Sequence, residues 1–255
     1  MIIVGIDDTD VVGSRGTNQL ARQIVRELSG RWRCVRIVRH QLLDDPRVPC
    51  TTKNGSASIS LELRSNSDQP ADIGAAETAS LLDCCRTVMR DWFVEGSDPG
   101  LCLLSGDCPS AIVEWGQRCQ REFVAREDAF ALASDTGLHL EALGGTEDGV
   151  IGALAAVGLA WTENDGRIVQ LCEWPDDLSG TQQLNVLSLR GVRVREHGSG
   201  QEFTQGTVDV GKHLRPNLRN GVPVLFVEPI DTASDVTSKP DTHEGQDSLR
   251  AIRLP

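Results

Sequence analysis

Tyrosine is absent from the 255 residues, and lysine is confined to Lys53, Lys212 and Lys239. Any surface that stacks nucleic-acid bases would have to use the five Trp or the five Phe. Acidic residues outnumber basic ones, 37 to 25, giving a formal net charge of -12. That balance argues against a broad nucleic-acid-binding face and leaves room only for a local basic patch. The eight cysteines contain no C-x-x-C pair, which argues against a zinc ribbon. No apolar run approaches the roughly 20 residues of a membrane helix, so no membrane span is expected. No charged segment precedes the first apolar run, so a signal peptide is not expected either. Reduced thiols in a cytoplasmic protein follow as the expectation. His40, His139, His197, His213 and His243 stand at no metal-ligand spacing with one another or with Cys, and read as structural or exposed.

What is present concentrates at the N-terminus. Met1 to Ile6 is apolar enough for one strand and ends in Asp7, Asp8 and Asp10, three carboxylates within four positions. Gly13, Ser14, Arg15, Gly16 and Thr17 follow as a glycine-containing loop, and Asn18 to Leu28 reads as a helix. Leu20, Ala21, Ile24, Val25 and Leu28 share one face of it, while Arg22, Gln23, Arg26 and Glu27 take the other. A strand, a tight loop and a helix N-terminus make an anion site from unpaired amide groups and the helix dipole. Carboxylates crowded beside it call for a cation, because like charges this close repel. A hard ion such as Mg2+, shared between one or two carboxylates and phosphate oxygens, meets both demands. The plainer alternative is an Asx-turn or helix N-cap, which also recruits Asp after strands. The loop lacks the G-K-[ST] ending of a Walker A sequence, so a phosphate-binding lysine must come from elsewhere.

A second stretch, Asp44 to Gly55, is a loop stiffened by Pro46 and Pro49. Its Thr51, Thr52 and Lys53 can meet phosphate oxygens, with Lys53 as a point charge; a solvated loop is the alternative. Around these stretches strand and helix patterns interleave. Cys34 to Leu43 and Ser56 to Leu63 read as strands, the latter with Ala57, Ile59, Leu61 and Leu63 on one face. Pro70 to Phe93 reads as a helix, Leu101 to Leu104 as a strand, and Ile112 to Val124 and Ala129 to Ala133 as helices. Gly149 to Gly158 is a small-residue helix suited to close packing, and Ile168 to Cys172 a further strand. The pattern predicts an α/β or α+β domain with a mixed sheet and flanking helices over residues 1 to 174. From Pro175 short β-like runs (Leu184 to Leu189, Val192 to Val194, Val222 to Val227) suggest a small β-rich module over 175 to 230. Residues 231 to 255 read as a flexible tail.

Taken in order, four stretches resemble the kinase domain of the archaeal tRNA-isoleucine agmatinylcytidine synthetase (TiaS) family. That family carries G-I-D-D-T-D followed by a C-T-T segment, an N-P-x-x-P-x-K-T-R-G-N loop, an x-x-P-G turn and G-N-G-R-G-L-I-G-A-L-A-A-I-G. They correspond here to Gly5 to Asp10 with Thr17, Asp45 to Gly55, Asp98-Pro99-Gly100, and Gly149 to Gly158. The resemblance implies a domain that uses ATP and Mg2+. In the family the wobble cytidine of an isoleucine tRNA is phosphorylated and agmatine displaces the phosphate, with ATP cleaved to AMP and pyrophosphate. It further implies that Asp7, Asp8 and Asp10 are metal and phosphoryl-transfer carboxylates, and that Thr17 matches a threonine that the family autophosphorylates. Gly16 and Asn18 replace the family's cysteine and second threonine, and Thr51 replaces its loop lysine, with Lys53 nearby. Thr146-Glu147-Asp148 stands where the family has N-G-R, exchanging a cation for two acids.

The expectation is an ATP- and Mg2+-dependent kinase or ligase acting on a small molecule or nucleotide, with tRNA disfavoured by the charge and by the missing zinc ribbon. Its catalytic residues would be Asp7, Asp8, Asp10, Thr17 and Lys53. Gly13, Ser14, Arg15, Gly16, Thr17, Thr51, Thr52 and Lys53 would contact the nucleotide. Three alternatives stand beside it: tRNA wobble-cytidine modification, a non-catalytic nucleotide-binding subunit, and a haloacid-dehalogenase-type phosphohydrolase suggested by Asp8-Thr9-Asp10-Val11-Val12.

Overall fold

Alternation along the first strand, β1 (Ile2–Asp7), sets the layers of the N-terminal half. Ile2, Val4 and Ile6 enter one core with Leu20, Ala21, Ile24 and Leu28 of α1 (Thr17–Leu28) and Leu81, Cys85 and Met89 of α2 (Ala75–Trp92). Burying each such side chain contributes roughly 2 kcal/mol relative to exposure. Ile3 enters a second core on the opposite face. It packs there with Ile112, Trp115 and Cys119 of α3 (Ser110–Cys119), Ala129 of α4 (Arg126–Thr136), and Val150, Ala153, Leu154 and Val157 of α5 (Gly149–Trp161). Gly5 and Asp7 share this second face with Ile3 by the two-residue period of a strand.

The structure, a computed structural model, describes residues 1–48, 50–51, 53–64, 73–172, 174–230 and 248–254. The chain divides into two compact units, Met1–Glu173 and Trp174–Pro255. In the first, β2 (Trp32–Gln41), β3 (Gly55–Leu63), β4 (Gly100–Ser105), β5 (His139–Ala142) and β6 (Arg167–Leu171) join β1 in the order β5-β4-β1-β3-β2-β6. Every pairing among these six is antiparallel. The run β1-α1-β2-β3-α2-β4 with spatial order 4-1-3-2 is the split β-α-β arrangement. Its crossover helices α1 and α2 cover one face, which leaves the other face to α3, α4 and α5.

The second unit contains β7 (Thr181–Gln183), α6 (Leu184–Leu189), β8 (Arg193–Glu196), β9 (Glu202–Phe203), β10 (Thr207–Asp209), β11 (Asn217–Arg219), β12 (Val222–Pro229) and β13 (Ser248–Ala251). Parallel pairs, β8 with β12 and β10 with β13, make the sheet mixed here. β11 and β12 form a hairpin through Asn220 and Gly221, both with positive φ (51° and 75°), the turn type that an Asn-Gly pair favours.

Several boundaries differ from the sequence expectation. Leu184–Leu189 is helical rather than extended, because Leu184 and Leu187, three residues apart, are both buried. The tail expectation is corrected at Ser248–Ala251, which pairs as β13 with Leu249 2% exposed, while residues 231–247 lie outside the described ones. The start of the Pro70 to Phe93 helix also lies partly outside them, and α2 begins at Ala75. α3 stops at Cys119 instead of running to Val124. The Gln120 amide turns aside to bond the Gln41 carbonyl (3.2 Å) and the Asp165 carboxylate (2.9 Å). No helix among the described residues is long and apolar enough to cross a membrane.

α5 is buried almost all round, and its approach to the sheet is set by glycines on both sides. A Cβ placed on Gly5 would lie 2.0 Å from the Ala153 carbonyl oxygen, and one on Gly100 would lie 2.2 Å from the Gly149 carbonyl group. Overpacking of this kind costs about 1–3 kcal/mol or more. Gly5→Ala is therefore expected to lower stability by about 2 kcal/mol or more in urea unfolding. Gly30→Ala, where nothing lies within 4 Å, is expected to change it by less than about 0.5 kcal/mol.

Candidate functional site

The C-terminal end of β1 opens onto a cavity of about 700 Å3. Asp7, Asp8, Asp10, Thr17, Thr51 and Lys53 line it, so the two stretches singled out in the sequence meet at one place. Asp8 takes a left-handed conformation (φ 49°), which aspartate tolerates better than most residues. The Asp98 N–H pins it there by donating to the Asp8 carbonyl at 3.0 Å. Beyond it a chain of hydroxyls fixes the third carboxylate. Thr9, 2% exposed, donates to Thr17 Oγ1 at 3.0 Å. Thr17 donates to one Asp10 oxygen at 2.9 Å and Thr51 to the other at 3.0 Å. Asp10 is thus held by two segments of chain at once. Thr17 does not cap α1; the N-cap is Gly16, and it makes no side-chain capping bond.

The glycine loop itself turns away. Gly13, Ser14, Arg15 and Gly16 are not part of the cavity lining, whereas Val11 and Val12 are. Ser14 closes a local turn, its hydroxyl donating to the Val11 carbonyl and accepting from the Val11 N–H, both at 2.9 Å. Arg15 stacks on Trp92 at 3.6 Å, in a separate groove beside α1 and α2. These four residues were expected to hold phosphate, and the turn at Gly13 (φ 87°) directs them elsewhere. Thr52 lies outside the described residues.

Electrostatically the site is overcharged. Burial, then the charge of Asp8, pushes the Asp7 pKa up to about 7, with Arg39 opposing the rise. Burial, then Asp98, Asp10 and Asp148, pushes Asp8 up to about 6. The Asp7 carboxylate has room only because α5 carries glycine beside it, since a Cβ on Gly152 would lie 1.7 Å from its Oδ2. Asp98 and Asp148 form a second acidic wall, joined by the Thr146 hydroxyl at 2.9 and 3.0 Å respectively. Arg126 donates to the Thr146 carbonyl and stands 3.8 Å from Asp148. Lys53 is exposed at the cavity, and its carbonyl accepts a bond from Arg39 at 2.9 Å. Arg39, Arg47 and Phe123 were given no role from sequence, and Asp98 and Asp148 entered only through the stretches that carry the resemblance. Asp98-Pro99-Gly100 alone reads as a turn, and only Arg39, a cation within a β-branched strand, carried a local hint.

Among the described residues no group of three or more His, Cys, Asp or Glu side chains stands in metal-binding geometry. Asp7 and Asp8 nonetheless fit a hard cation that completes its coordination with phosphate oxygens, because a divalent charge relieves the repulsion that raises their pKa values. Buried His40 bonds Ser58 (2.8 Å) and Asp165 (2.7 Å), but none of the three lines the cavity, so this arrangement is a structural tie.

No family model matches the sequence. Over 159 residues it is 26% identical to the tRNA(Ile2) 2-agmatinylcytidine synthetase TiaS of Pyrococcus horikoshii. This chain carries a TiaS-like domain. The match covers 62% of this chain and 35% of that protein, so the chain spans about a third of the length of its curated relative. A solved structure described as a tRNA fluorescent labelling enzyme shares the fold, at 20% identity and a TM-score of 0.50, again over 62% of this chain and 35% of that one. A TiaS–tRNA(Ile2)–ATP complex aligns at 23% identity over 62% of this chain and 36% of that one, with a TM-score of 0.47.

The raised carboxyl pKa values give a signed prediction. Below about pH 4 Asp7 is protonated whether folded or unfolded. Between there and its folded pKa of about 7, unfolding releases a proton, so stability falls as pH rises and the penalty is complete above that value. Asp7→Asn is expected to be more stable than the parent at about pH 8, by on the order of 2 kcal/mol after allowing for solvent access, and equal to it near pH 4. Urea unfolding of both proteins across this range checks it, and a difference independent of pH would contradict it.

Proposed function

We propose that the chain is an ATP- and Mg2+-dependent phosphotransferase or ligase whose acceptor is a small molecule or nucleotide. The observation that carries this reading is the carboxylate cluster at the end of β1, uncompensated enough to hold Asp7 and Asp8 partly protonated in a cavity of about 700 Å3. A volume of that size accommodates a nucleotide. The TiaS-like domain supports the same reaction class. A net charge of -12 favours a small acceptor over a polyanion.

In this mechanism Mg2+, held by Asp7 and Asp8, would neutralise charge on the transferring phosphoryl group. Asp10, fixed by the Thr17 and Thr51 hydroxyls, would keep both loops in register around it. Lys53, free to swing on an exposed stem, would supply a further positive charge to phosphate oxygens. Thr17 would act through Asp10, whose carboxylate accepts its hydroxyl proton. The second reading, tRNA modification, is favoured by one finding, the name of the curated relative.

Mg-ATP binding and turnover test the proposal. Asp8→Asn is expected to reduce affinity or turnover about tenfold or more, equivalent to about 1.4 kcal/mol. Incubation with a metabolite pool, with AMP and ADP both quantified, identifies the reaction type. Equal ATP affinity in Mg2+ and in EDTA would contradict the proposal, and ATP binding without turnover would point to a non-catalytic subunit. A tRNA complex far tighter than the non-specific range of about 10–100 micromolar at near-physiological salt would favour the second reading.

A further inference from the structure

The carboxylate cavity is also lined by a set of residues that its acid chemistry does not use. Phe123 and Val12 are 56% and 83% exposed, and both line this cavity. Arg47 lines it too, with its guanidinium 4.8 Å from the centre of the Phe123 ring. Arg47 is already paired within its own loop. Its Nε and Nη2 donate to the two Asp45 carboxylate oxygens, both at 2.8 Å, and its backbone N–H donates to Asp45 Oδ1 at 2.9 Å. With two of its fork donors engaged and its charge compensated, this arginine is poorly suited to seize a phosphate. What it offers a ligand is a flat cationic face set against a flat aromatic one. The two come from separate loops, which the Leu43 N–H joins by donating to the Cys119 carbonyl at 2.9 Å. α3 ends at Cys119, and Phe123 lines the cavity from the loop that follows it.

We propose that Phe123 and Arg47 form the stacking platform for the adenine base of ATP, an assignment that rests on the ATP reading above. Nucleobases stack on such surfaces through their π faces, whereas a triphosphate has none. The platform stands in the same cavity as the carboxylates and Lys53, so one ligand can meet a metal-binding end and a stacking element together.

Calorimetry with Mg-ATP and with Mg-tripolyphosphate, on the parent, Phe123→Ala and Phe123→Trp, separates base from phosphate contacts. Phe123→Ala is expected to weaken Mg-ATP about fivefold or more and to leave Mg-tripolyphosphate within about twofold, with the thermal midpoint unchanged because the ring is exposed. Phe123→Trp, which keeps a π face, is expected to retain ATP affinity. Equal loss of both ligands, or loss of neither, in a folded Phe123→Ala protein would overturn the platform while leaving the ATP reading intact. Failure of the parent to bind ATP at all would overturn both.

Discussion

A helix backbone can lie almost in contact with a strand only where the strand residue facing it carries no Cβ, and the N-terminal unit depends on that condition. Gly5 in β1 meets Ala153 of α5, and Gly100 in β4 meets Gly149. The same close approach continues to Gly152, where the missing side chain leaves the volume that the Asp7 carboxylate occupies. Packing and chemistry therefore share one device. A larger residue at these glycines would lift α5 from the sheet and also remove the space for the first acid of the cluster. The chain has few other ways to reach this geometry, since side chains of ordinary size would hold helix and sheet well apart.

From that constraint follows the electrostatic condition of the site. Asp7 sits between β1 and the first turns of α5, where burial costs its charged form, and Asp8 is turned by its left-handed backbone toward Asp98 and Asp148. Asp10 differs from both, because two threonine hydroxyls satisfy its oxygens. Three neighbouring carboxylates thus occupy three environments. Two of them are left short of positive charge, with Arg39 offsetting only part of the deficit for Asp7. A ligand that brings a divalent cation and phosphate oxygens supplies what the apo arrangement lacks.

Much of this was legible in the chain because it is local. An apolar run cut off by Asp7, Asp8 and Asp10 marks a strand end with too much charge, and the small residues from Gly149 to Gly158 mark a helix made for close packing. Thr51 and Lys53 were readable as polar groups on a stiff loop, though only the fold shows Thr51 bonded to Asp10. What escaped the sequence is tertiary. The stretch at Asp98 was visible, but not the backbone bond that brings it to Asp8, and Phe123 follows the Gln120 tether at the end of α3. Arg39 enters by neighbouring Asp7 across strands. The glycine loop lies apart from the cavity lining for a related reason. Glycine, serine and arginine beside a helix N-terminus match a phosphate cradle in composition, but Gly13 sends Ser14 into a local turn and Arg15 onto Trp92. Composition there specified flexibility, and the direction was set by contacts several elements away.

If the end of β1 is a carboxylate cluster waiting for a cation, loading it must displace protons, since Asp7 and Asp8 have pKa values of about 7 and about 6 without one. Titration calorimetry with preformed Mg-ATP near neutral pH, repeated in buffers of different ionisation enthalpy, counts those protons directly. The account predicts net proton release on binding, reduced in Asp7→Asn. Binding without proton exchange, or release undiminished in that variant, would contradict it.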